Sequence, residues 1–99
     1  MTIRGCKVKL QKLIELAMDI RMAHYNPEKI SFYEQIDDPR IEILENSVNE
    51  LINEITTDKK YRSNFGKIPH CEEGIWEVQK KLTDLKLAIE LMEILNFED

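Results

Sequence analysis

Residues 72–97, EEGIWEVQKKLTDLKLAIELMEILNF, constrain the fold more than any other stretch of the chain. Ile75, Val78, Leu82, Leu85, Ile89 and Met92 recur at spacings of 3-4-3-4-3, the seam of a helix that packs against its neighbours at small crossing angles. On a wheel of about 100° per residue, Trp76, Leu87, Leu91 and Ile94 fall roughly opposite that seam, so the helix is apolar on two faces, chiefly toward its end. One face is readily covered by a chain of 99 residues; the second asks for another element or another copy.

The same period appears twice more. Cys6, Leu10, Leu13, Ala17, Ile20 and His24 run 4-3-4-3-4 and predict a first helix over about 6–24, with Ile14, Met18, Met22 and Tyr25 as a second stripe beside the seam. Asn26-Pro27 stops it, because the residue before a proline leaves the α region. Pro27 with Asn26 as cap, or the box Ser31-x-x-Glu34, predicts one or two short turns of helix within 27–36, with Ile30, Phe32, Tyr33 and Ile36 leaning on the core. Asp37-Asp38-Pro39 is the clearest start signal: Asp38 caps, Pro39 takes the first helical position and Asp37 complements the dipole. The helix it opens should run from 39 to about 57 on a seam of Ile41, Leu44, Val48, Leu51 and Ile55, widened by Ile52, and end at Thr56-Thr57-Asp58. Residues 58–70 have no period and carry Asn64, Gly66 and Pro69, which reads as a loop.

Three helices of one period and no alternating run predict a single all-α domain over 1–99. The default is a three-helix antiparallel, up-down-up bundle with a short extra helix in the first connection. The alternative is a long helical hairpin whose leftover faces pair with a second chain. A core of this size buries about 65% of the unfolded surface. No apolar run approaches the roughly 18 residues of a membrane span, and the N-terminal stretch lacks the apolar core of a signal peptide. The simplest home is therefore cytoplasmic, where Cys6 and Cys71 stay thiols.

The net charge of −5 is unevenly spread: +3 over 1–30, −7 over 31–58, +4 over 59–69 and −5 over 70–99. Up-down-up packing would gather Arg4, Lys7, Lys9, Lys59, Lys60, Arg62, Lys67 and His70 at one end, and Glu34, Asp37, Asp38, Glu90, Glu93, Glu98 and Asp99 at the other. Two helix N-termini pointing into the basic end would favour a phosphate or carboxylate there, and Tyr61 and Phe65 would stack on a base. That makes Arg4, Lys7, Lys59, Lys60, Tyr61, Arg62, Lys67 and His70 a candidate site for a nucleotide-like anion. The plainer reading of such a loop is a solvated one, tethered by its aromatic residues. A sequence pI near 5.1 and the acidic middle segment argue against nucleic acid.

Catalytic signals are weak. Cys6, His24, His70 and Cys71 lack the spacing of a zinc site, and one continuous helix would hold His24 about 27 Å from Cys6. Cys6 and Cys71 would share an end of the up-down-up bundle, within reach of a disulfide or a partial metal site, although such cysteines are more often small buried hydrophobes. His24 reads as a hydrogen-bonded helix-end residue. The pairs Glu42-x-x-Glu45 and Glu90-x-x-Glu93 would suit Mg²⁺ on a phosphate substrate if they met, but read first as solvated flanks. Phosphate-binding glycine loops and nucleophile motifs are missing from the sequence. No catalytic residue, metal or cofactor is assigned.

Association is the reading that uses most of the chain. Trp76, Leu87, Leu91 and Ile94 of the last helix and Ile14, Met18, Met22 and Tyr25 of the first are more apolar surface than a three-helix monomer needs, in residue types enriched at interfaces. The expectation is a homo-oligomer without catalytic activity that regulates or inhibits a larger protein; its size and acidity also fit a phage or mobile-element origin. The alternatives are a module that sequesters a phosphorylated small molecule, and a Mg²⁺-dependent nucleotide phosphohydrolase.

Overall fold

The computed structural model describes residues 3–28, 31, 33–55 and 67–96. The described residues form three helices, α1 (Ile3–Ala23), α2 (Pro39–Ile55) and α3 (Glu72–Asn96), within a few residues of the limits that period and capping predict. The expected stop at Thr56-Thr57-Asp58 lies outside the described residues.

The start of α2 forms as its sequence dictates. The Asp38 carboxylate accepts the Arg40 backbone N–H at 2.9 Å, and the Asp38 carbonyl accepts the Ile41 N–H at 3.1 Å, so two of the orphan donors of the first turn are satisfied behind Pro39. The α3 start is less conventional. Cys71 stands at the cap, its carbonyl accepting the Ile75 N–H at 3.1 Å and its Sγ the Gly74 N–H at 3.4 Å.

Polar rungs fix the directions of the helices. Lys7 of α1 reaches Glu93 of α3 at 2.9 Å, Lys86 donates to Gln11 at 2.6 Å and Arg21 to Gln79 at 2.7 Å. As numbers rise on α1 they fall on α3, so the two helices are antiparallel. Lys9 to Glu54 at 3.2 Å and His24 to Asp38 at 2.8 Å show the same for α1 and α2. Hence α2 and α3 point the same way, both packed on α1 and barely on each other. This corrects the up-down-up order: the packing is helical and bundle-like, but the third helix does not reverse the second.

The physical reason is the return of the chain to the start of α2 before α3 begins. Ile68 is buried and its N–H is accepted by Glu45 Oε1 of α2 at 2.7 Å. His70 accepts the Ile36 N–H at 2.7 Å, and Gln35 and Cys71 form an isolated antiparallel bridge. Removing the Glu45 acceptor strands the Ile68 N–H, so Glu45→Ala is expected to cost about 1 kcal/mol while Glu45→Gln costs little, read from the urea midpoints of the two variants.

The first connection also differs from expectation. Asn26 Oδ1 accepts the Glu28 N–H and Ser31 Oγ the Tyr33 N–H, so its described residues form turns closed by short polar side chains rather than a short helix. Residues 29, 30 and 32, including the expected Ile30 and Phe32 anchors, lie outside the described residues. Tyr33 is exposed, whereas Ile36 is buried as expected.

The core follows the three seams. Leu10, Leu13, Ala17 and Ile20 of α1, Ile41, Leu44, Val48, Leu51 and Ile52 of α2, and Ile75, Val78 and Leu82 of α3 are buried together with Ile36 and Ile68. The α3 seam then fades: Leu85 and Ile89 are half-buried and Met92 is exposed. Ile55, at the end of the α2 seam, is likewise exposed.

Candidate functional site

The residues expected at the interface separate into two places and the core. Ile14 is 7% exposed and belongs to the core, a correction to its place in the outer stripe. Because α1 is packed on by both α2 and α3, its buried arc is wider than one seam and takes in the position beside Leu13.

The first place lies where α1 ends and α3 begins. Met18 and Met22, one turn apart on α1, and Tyr25 just past its end line a cleft of about 190 Å³ with Arg21, Glu72 and Gln79. Trp76 lines an adjoining cleft of about 220 Å³ that shares Arg21 and Glu72. Lys80 sits 5.4 Å from the Trp76 ring centroid, a cation–π contact that holds the indole against its own helix. The four apolar side chains are exposed, and Arg21 between them is tied to Gln79.

The second place is the C-terminal half of α3. Leu87, Leu91, Met92, Ile94 and Leu95 are each between 53% and 70% exposed, and Ala88 among them is exposed too. Five large apolar side chains within nine residues form one contiguous arc of the helix, since 87, 91 and 94 stack on one line and 88, 92 and 95 on the next. Single exposed hydrophobes are ordinary on any surface, whereas these form a continuous stripe. At its border Lys7 pairs with Glu93 and Lys86 with Glu90 at 3.9 Å, and the exposed Asp84 lies one turn before Leu87. Met92 and Leu95 were not singled out as interface residues in the sequence. Met92 fitted the seam, and only the loss of cover beyond Leu82 leaves it in water.

Among the described residues, the anion-site members Lys7, Lys67 and His70 are not brought together. Lys7, at the start of α1, pairs with Glu93, while Lys67 and His70 lie beside Cys71 at the level of the other end of α1, roughly 25 Å away by helix rise. Lys59, Lys60, Tyr61 and Arg62, the Phe65 expected to stack beside them, and the Arg4 side chain lie outside the described residues, as do Glu98 and Asp99 of the expected acidic end. Lys67 lines a cleft of about 320 Å³ with Tyr33 and Lys81, but Glu73 and Glu77 line it as well, so its charges balance. Glu34 and Asp37 sit by the start of α2, and Glu90 and Glu93 lie toward the opposite end. The basic end and the acidic end both depended on the helix order that the structure replaces.

The same change separates the residues considered for chemistry. Glu42 lies near the start of α2 and Glu90 near the end of α3, about ten residues of α1 apart, or roughly 15 Å along the axis. Glu45 is engaged with Ile68 and Glu93 with Lys7. Cys6 and Cys71 are both buried free thiols, at opposite ends of α1 rather than one, and burial raises the Cys6 pKa above its ordinary value. Among the described residues no cluster of three or more His, Cys, Asp or Glu side chains is arranged to hold a metal ion, and no helix is long and apolar enough to cross a membrane.

His24 does what its position on the seam suggests. It ends α1 and bonds Asp38 Oδ2 through Nε2 at 2.8 Å, while Arg40 grips the same carboxylate with its Nη2 at 2.6 Å. Those bonds, Arg40 foremost, hold the Asp38 carboxyl well below the usual carboxylate range. The arrangement serves to lock α1 to α2.

Comparison with known protein families, with characterised proteins and with solved structures finds no match to the chain.

Proposed function

We propose that this protein acts by binding other protein surfaces, without chemistry of its own, and that it regulates or inhibits a larger protein as an oligomer. The observation that carries the reading is the C-terminal half of α3. A free helix end would ordinarily be polar outside its packed seam, whereas this one keeps Leu87, Leu91, Met92, Ile94 and Leu95 in water. The Met18, Met22, Tyr25 and Trp76 group at the far end of α3 supplies a second surface, of the methionine and aromatic composition that adapts to partner side chains. The chemical alternatives lose support. The described members of the anion set are divided between the two ends of α1, and the carboxylates considered for Mg²⁺ are divided in the same way.

The test is differential capture from the native cell, using the wild-type chain, Leu91→Asp and Met22→Asp as baits, each verified as helical by circular dichroism. A partner retained by wild type and lost on one of the two substitutions is the expected result. Identical capture by all three baits would overturn the reading.

A further inference from the structure

We draw no further inference here: the strongest candidate, the adjoining clefts between the end of α1 and the start of α3 that Met18, Met22, Tyr25 and Trp76 line, carries nothing because Arg21 and Lys80 there are matched by Glu72 and Glu73, and nothing in the structure shows what covers it.

Discussion

Gly74→Ala is expected to destabilise the protein by about 2 kcal/mol and lower its melting temperature by about 10 °C, although the substitution is made inside a helix. Propensity alone predicts the reverse, since alanine is favoured over glycine in a helix by about 1 kcal/mol. The local packing decides against it. A methyl group at Gly74 would stand against the Pro69 carbonyl oxygen, well inside contact distance, and 2.8 Å from Pro69 Cβ. Pro69 is not free to retreat, because Ile68 before it is tied to Glu45 and His70 after it to Ile36. Overpacking of this kind costs about 1–3 kcal/mol and sometimes more, enough to outweigh the gain. Thermal unfolding of Gly74→Ala beside Glu77→Ala, an exposed position on the same helix, separates packing from propensity. A melting temperature for Gly74→Ala at or above wild type would mean that the returning segment does not lie on the first turn of α3.

That close approach also explains why helix limits were legible in the sequence and helix direction was not. Capping residues and apolar period act within one helix: Asp38 and Pro39 start α2 by local hydrogen bonding, and the 3-4 spacing marks which side is buried. Neither distinguishes a third helix that runs up from one that runs down, since a seam reads the same from both ends. The available signal was the length of the second connection. Helices joined tightly need about two to eight residues, whereas about sixteen separate Ile55 from Glu72, a span that reaches roughly 50 Å when extended. This is twice the roughly 25 Å of α2 itself, and Ile68 is an apolar anchor placed to hold the return. Read that way, the connection is a crossover, one of the ways bundles are joined. The two ends of charge, the Glu42 and Glu90 pairing and the Cys6 and Cys71 pairing all followed from direction, and all change with it. By contrast, the two-faced character of α3 depends only on the wheel, and in the single chain its second face, with Leu87, Leu91 and Ile94, is exposed. Ile14 was not legible in this way, because its burial depends on α1 being central.

Asp38→Ala should cost about 2 kcal/mol, toward the upper end of what a lost helix cap costs, and the wild-type advantage should disappear in acid. The carboxylate has two structural tasks. It accepts the Arg40 N–H at 2.9 Å to start α2, and it joins the end of α1 through His24 at 2.8 Å. At 9% exposed it does so largely out of water. Arg40 and His24 are both considerably exposed, however, so solvent screens the ionic part and the cap carries most of the effect. Asp38→Asn isolates the two, since asparagine caps about as well as aspartate but carries no charge for Arg40 and His24. The side-chain bonds from Arg40, then its backbone N–H, then His24 depress the folded-state pKa of Asp38 below its unfolded value. A depressed carboxyl contributes stability that is complete above the unfolded value, about 3.9, and is lost as pH falls from there through the folded value. Wild type should therefore exceed Asp38→Asn in urea midpoint near neutrality, and the two curves should converge as pH falls below about 4. Parallel curves across that range would mean that the charge of Asp38 is not what joins α1 to α2, and the cap alone would then have to account for the junction.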